Sequence, residues 1–155
     1  MIYVEDKPQE ILVEELGLKA KGKGGKGNVV ENLKEKRGAI GVVDEDPWDY
    51  QPPYLRNLKE GEKNHGVIVK EDKERGNKVL ILCPRWEEWI IDAIKEAKIK
   101  IESFPLDPSK LREIPWGKEH NRNKLRMVYR ELKEKGSRHI LFLKKLLGGK
   151  DGVLF

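Results

Sequence analysis

The alternation of short apolar runs with helical patterns over the first 44 residues constrains this chain more than any other feature. Ile2, Tyr3 and Val4 form a β-prone run that ends at Glu5. Asp6 is placed to cap a helix, with Pro8 tolerated in the first turn and Gln9 as the second half of a capping box. Ile11, Leu12 and Leu16 then share one helical face, and Gly17 is a stop signal. A second short strand, Leu18 to Lys21, leads into a loop of Gly and Lys. Asn28 is read as the cap of a second helix, with Glu31 completing its box, Val29, Val30 and Leu33 facing inward, and Gly38 ending it. Ala39 to Val43 reads as a buried strand that finishes at Asp44. Strand, helix, strand, helix, strand with short connections predicts an α/β fold built on a parallel sheet with right-handed crossovers.

In such sheets ligands gather beyond the carboxyl ends of the strands. Glu5 ends the first predicted strand, and Asp44-Glu45-Asp46 ends the third. Asp44 and Asp46 are two apart, so an extended backbone points both side chains to one face. Three carboxylates converging at one sheet edge repel each other unless a cation neutralises them, and an all-oxygen donor set selects Mg²⁺ or Mn²⁺ over zinc. His65, His120 and His139 are scattered, with no Cys or His at ligand spacing, which argues further against zinc.

The intervening loop, KAKGKGGKGN (residues 19–28), has the glycine spacing of a nucleotide-phosphate loop without its chemistry. Gly22 and Gly27 are correctly separated, but Asn28 and Val29 follow where a Lys and a magnesium-binding hydroxyl are needed. A nucleotide-hydrolase loop is therefore excluded. Beside the flanking carboxylates the segment reads instead as a cradle for a nucleic-acid phosphate. Gly24 and Gly25 allow backbone N–H groups close to an anion, the helix read as starting at Asn28 offers its positive end, and Lys21, Lys23 and Lys26 add point charges.

These motifs resemble the Toprim family, whose domains occur in topoisomerases, primases, overcoming-lysogenization-defect nucleases and small ribosomal-RNA-maturing nucleases. The resemblance rests on Glu5 in IYVED, the GKGGKGN loop, and Asp44 and Asp46 in GVVDEDP. It covers residues 1–47 as motif and implies a Toprim-like, Rossmann-type parallel sheet over about residues 1–100. It also implies that Asp44 and Asp46, with Glu5, hold Mg²⁺ or Mn²⁺, that Glu5 is the general acid or base, and that Lys26 steadies the phosphate. One departure is visible: the family usually has Glu-Gly at the first motif, often with an Asp further on, whereas this chain has Glu5-Asp6 and then Gln9. Asp6 is either the helix cap or an added metal ligand, and loss of the Gly is compatible with a relaxed or inactive site.

Beyond the motifs, DPWDYQPPYLRNLKEG (residues 46–61) reads as an irregular connection. Val67 to Val69, a turn at Arg75-Gly76-Asn77 and Val79 to Leu82 predict an added β-hairpin. Pro84 opens a helix with Trp86, Trp89, Ile90, Ala93 and Ile94 on its buried face. The run CPRWEEWII and the segment SFPLDPSKLREIP (residues 103–115) are similar to stretches of small Toprim-like proteins, and Glu87 is read as a first-turn carboxylate or a neighbour of the acidic site. Leu125, Val128, Tyr129 and Leu132 form a helical stripe ringed by Arg122, Arg126, Arg130 and Lys133. Ile140 to Leu147 supply a last helix stopped by Gly148-Gly149. A single domain is expected, with residues 101–155 a helical extension packed on the core. Trp48 and Trp116 are read as core plugs with base stacking as the alternative, and Cys83 as a structural thiol, although its place before a helix start is one that activates thiols. Tyr50 and Tyr54 are rejected as topoisomerase-like nucleophiles, because the further domains of a strand-passing enzyme are missing.

Charge supplies the partner. The net charge of +5 is unevenly spread: residues 118–150 carry 11 Lys and Arg against three Asp and Glu. That excess points to a polyanion, with Arg122, Arg126 and Arg130 as candidate nucleic-acid contacts, unless it is only the solvated face of a Lys-rich protein. Abundant Lys and Glu with two Gln fits a thermophilic source. The single Cys, the lack of a secretory signal and the lack of a long apolar run fit the cytoplasm. The oligomeric state is open, a homodimer being compatible. The expected activity is Mg²⁺-dependent phosphodiester hydrolysis in DNA or RNA. The alternative is an impaired Toprim-like protein that binds nucleic acid, as a subunit of a defence or repair complex.

Overall fold

The computed structural model describes residues 1–100 and 106–148. Residues 103–105 of the SFPLDP segment, Gly149 of the proposed helix stop and Lys150 of the basic region lie outside them. The chain runs β1 (Ile2–Val4), α1 (Lys7–Glu15), β2 (Lys21–Gly22), α2 (Lys26–Glu35), β3 (Ile40–Asp44), α3 (Pro53–Arg56), β4 (Lys59–Asn64), β5 (Val67–Asp72), β6 (Asn77–Leu82), α4 (Trp86–Glu96), α5 (Glu119–Glu134) and α6 (Arg138–Gly148). A 3-10 segment, Pro108–Glu113, precedes α5. These elements form an α/β fold around one six-stranded sheet in the order β2-β1-β3-β6-β5-β4. The pairs from β2 to β6 are parallel and those joining β6, β5 and β4 are antiparallel.

Period-2 alternation sends the strand residues into two cores, because successive side chains leave opposite faces. Val4, Val42, Val69, Leu80 and Leu82 pack with α1, α4, α5 and α6. Tyr3, Val43, Ile68, Val79 and Ile81 pack with α2 and α3. Each large aliphatic side chain so buried contributes about 1.5–3 kcal/mol. The predicted stripe of α5 joins the first core, with Leu125, Val128, Tyr129 and Leu132 buried beside Ile11 and Leu12 of α1. Gly41 lets α2 lie close on β3, since a Cβ there would stand 2.8 Å from Leu33 Cδ1 and 3.1 Å from Val29 Cγ1.

Several boundaries differ from the sequence reading. β2 is Lys21–Gly22 rather than Leu18 to Lys21. α2 starts at Lys26 behind Gly25, with no side-chain cap. Asn28 instead sits inside the helix and its Nδ2 donates to Lys23 O at 2.9 Å. The stretch read as irregular holds α3 and leads into β4, whose six residues are all exposed and are held by backbone pairing with β5. Trp48 is not a core plug: it is 58% exposed. Cys83 is half-buried, and desolvation followed by the nearby Glu45 pushes its thiol up to about 11, far from activation. Among the described residues no helix is long and apolar enough to cross a membrane.

Candidate metal centre

β1 and β3 are parallel neighbours in a register that pairs Val4 with Val42. Glu5 therefore leaves the end of β1 beside the end of β3, and Glu5 Oε2 accepts a hydrogen bond from the Asp44 N–H. The backbone beyond β3 is pinned across to the end of β6, Glu45 N–H donating to Leu82 O and Asp46 N–H to Pro84 O, both at 2.9 Å. Asp46 has φ of 45°, so a left-handed turn, not the strand alternation inferred from spacing, swings its carboxylate back towards Asp44. Oxygens of Glu5, Asp44 and Asp46 come within 4.8 Å of one another.

Asp44 is the most constrained of the three. Its Oδ1 accepts from Trp86 N–H at 3.1 Å, at the start of α4, and from Gln9 Nε2 at 3.2 Å. Gln9 does not close a capping box on Asp6; it is 3% exposed and turned inward, with Oε1 buried and unpartnered. Asp6 does cap α1, its side chain accepting from Lys7 N–H. It lines the cleft but is not one of the three converging carboxylates. Behind the site, Trp86 Nε1 donates to Tyr129 Oη and Tyr129 Oη donates to Pro8 O, both at 2.8 Å, which ties α4, α5 and α1 into one support.

Repulsion within the cluster is large. Burial, then Glu5, Glu87 and Asp46, raise the Asp44 carboxyl to about 8, against the opposing pull of Trp86 N–H. Burial likewise raises Glu5, opposed by the hydrogen bond from Asp44 and the charge of Lys26. Lys26 Nζ lies 3.4 Å from Asp46 Oδ2 and donates to Glu45 O and Gln51 Oε1. The single ammonium of Lys26 does not neutralise the three converging carboxylates when all are ionised. An all-carboxylate donor set with this spacing fits a hard divalent cation such as Mg²⁺ or Mn²⁺.

The glycine loop is built differently from the sequence reading. The N–H groups of Gly24 and Gly25 both donate to Glu5 O, at 2.9 and 3.0 Å, with φ of 80° and 140°. They brace the Glu5 backbone and are not free for an anion. The first-turn N–H groups of α2, on Lys26, Gly27 and Asn28, have no preceding helical carbonyl to bind.

The cluster opens into a cleft of about 390 Å³ whose walls include Arg85, Trp86, Glu87, Arg112 and Trp116. Arg112 Nε lies 3.4 Å from Glu87 Oε2, so Glu87 is both the dipole-favoured carboxylate of α4 and a cleft wall. Trp116 packs edge-on against Trp86 at 5.8 Å. Arg85, Arg112 and the hydrogen-bonding role of Gln9 were not found from sequence; the only local signal was Pro84 before α4. Arg122, Arg126 and Arg130 lie on α5 and do not line the cleft. Arg122 Nη1 donates to Trp116 O and Gly117 O, Arg126 Nη1 to Asn123 Oδ1, and Arg130 pairs with Glu15 at 3.0 Å.

No family model, curated protein or solved structure matches this chain.

Proposed function

We propose that the cleft binds Mg²⁺ or Mn²⁺ and hydrolyses phosphodiester bonds of nucleic acid, as a Toprim-like enzyme. The observation that carries this reading is the convergence of Glu5, Asp44 and Asp46 beside Lys26 at the carboxyl ends of β1 and β3. Asp44 and Asp46, with Glu5, are the residues that would hold the cation. When bound, such an ion neutralises charge on the phosphate under attack and lowers the pKa of water. Glu5, whose carboxyl burial raises above its ordinary value in the cation-free site, is the group to hold the transferred proton. Lys26, fixed by Glu45 O and Gln51, presents its positive charge to a phosphate oxygen. Gln9 and the Trp86 N–H fix the Asp44 carboxylate. The deciding experiment is cleavage of end-labelled DNA and RNA panels with Mn²⁺, run beside Glu5→Gln.

A second reading, a protein that binds nucleic acid without cutting it, is favoured by one observation. The Gly24 and Gly25 amides turn inward onto Glu5 O, so the loop lacks two anion donors. Retained binding with no cleavage in any metal would select this reading.

A further inference from the structure

The loop that follows Asp46 carries two exposed aromatic rings. Among the described residues, Trp48 (58%) and Tyr50 (75%) are the only Trp, Tyr or Phe side chains left largely in solvent. Single exposed apolar residues are ordinary, but two within three positions on one ordered loop beside an acidic cleft are not scatter. The loop is held from beneath. Gln51 Nε2 donates to Glu45 O and Asp46 O at 2.9 Å and to Asp49 O at 3.2 Å, while Lys26 Nζ holds Gln51 Oε1. Asp49 N–H closes a turn onto Asp46 O. The rings are therefore presented at little conformational cost.

Each ring also has a guanidinium over it. Arg85 Cζ lies 5.0 Å from the Trp48 centroid and Arg56 Cζ 5.3 Å from that of Tyr50. Arg85 is oriented by Glu88 through hydrogen bonds of 2.8 and 2.6 Å, and it is also a wall of the carboxylate cleft. Arg56 borders a second cavity of about 230 Å³, on whose wall Asp44 also lies. The cation of each pair thus lines a cavity, and Asp44 lies in the wall of both cavities.

We propose that this loop is a stacking platform for unpaired bases, so that the polymer taken into the cleft is single-stranded nucleic acid. Aromatic faces stack on any base, and a guanidinium held over one face adds positive charge beside the stack. In a duplex each base face is already covered by its neighbour, and exposing it costs unstacking, so the platform favours strands whose bases are free. The proposal rests on the nucleic-acid reading of the cleft but not on cleavage.

The test is equilibrium binding of fluorescent single-stranded oligo-dT and oligo-rU, and of a blunt duplex of equal length, to the full chain with the cation present. Tryptophan emission is read in parallel. Wild type is expected to bind single strands more tightly than duplex. Trp48→Ala with Tyr50→Ala should weaken single-strand binding about tenfold or more and leave duplex binding unchanged. Trp48→Phe should keep affinity while losing most of the emission quench. Unaltered melting of these variants is the folding control, since neither ring is buried. Equal affinity of wild type and the double variant for single strands overturns the platform, as does equal weakening on duplex. Binding of neither form by wild type also overturns it and leaves a protein surface as the occupant. If the aromatic effect is present but the cation neither shifts melting nor supports cleavage, the metal reading fails while the platform stands.

Discussion

Replacing Asp44 by Asn converts the most strained charge of the cluster into a neutral side chain of nearly equal shape. In the cation-free protein, burial and then repulsion from Glu5, Glu87 and Asp46 raise this carboxyl from 3.8 to about 8. The folded state thus holds the Asp44 proton more tightly than the unfolded state. The stabilisation this gives is complete below about pH 4, declines as pH rises, and is gone above about pH 8. The interval corresponds to at most about 6 kcal/mol at ~1.36 kcal/mol per pH unit. Roughly half should survive in practice, because Glu5 and Asp46 share the repulsion and titrate with Asp44, and because the cleft admits water. Without cation, Asp44→Asn should therefore match wild type near pH 4 and exceed it by about 2–3 kcal/mol near pH 9, or about 6–9 °C in Tm for a chain of this size. Cation offsets that advantage. At a hundredfold excess over its Kd, Mg²⁺ or Mn²⁺ stabilises wild type by about 2.7 kcal/mol. Asp44→Asn should lose most of that response. Scanning calorimetry across this pH range, with chelator and with metal, reads both effects. An Asp44→Asn advantage that does not grow between these pH values, or an equal metal shift in the two proteins, would refute the reasoning.

Glu5→Gln keeps the shape and the contact with Asp44 N–H but loses the exchangeable proton. Single-turnover cleavage should fall by about 10²–10⁴, with filter binding of the same substrate retained or tightened. Neutralising Arg122, Arg126 and Arg130 together should flatten the dependence of nucleic-acid affinity on salt and leave the metal-induced melting shift intact. A salt titration of binding checks the first and calorimetry the second. Tyr129→Phe strands the buried Trp86 indole N–H and removes the side-chain donor to the Pro8 carbonyl, which keeps its helical partner in α1. At about 1–3 kcal/mol for a buried donor left unpaired, it should cost about 1–3 kcal/mol in urea unfolding. Its metal response should weaken as well, because Trp86 supports Asp44.

The parts of this chain legible in its sequence are those where side-chain pattern and fold agree. Trp86, Trp89, Ile90, Ala93 and Ile94 are spaced for one helical face and all are buried on α4. Val67 to Val69 and Val79 to Leu82 are apolar enough to announce the hairpin, and Glu5 and Asp44 follow directly from where β1 and β3 end. β4 was invisible because KEGEKN carries no apolar signal and owes its place to backbone pairing alone. Gln9 was misread because one residue serves a local cap and a contact 35 positions away equally well on paper. Asp46 joins the cluster through a left-handed turn, which spacing cannot distinguish from an extended residue. The cleft walls come from segments far apart in the chain, and short-range periodicity carries no information about their meeting.

The Tyr129 hydroxyl has a consequence in time as well as in space. Its bond to the Pro8 carbonyl spans 121 positions. A ribosome thus exposes Glu5, Asp44 and Asp46 long before it exposes the side chain that locks Trp86 behind them. Until α5 emerges, Trp86 lacks the hydroxyl that ties it to the first helix, and the acidic edge lacks its backing. The support of the cluster is therefore completed last, when the final third of the protein folds back onto the first helix.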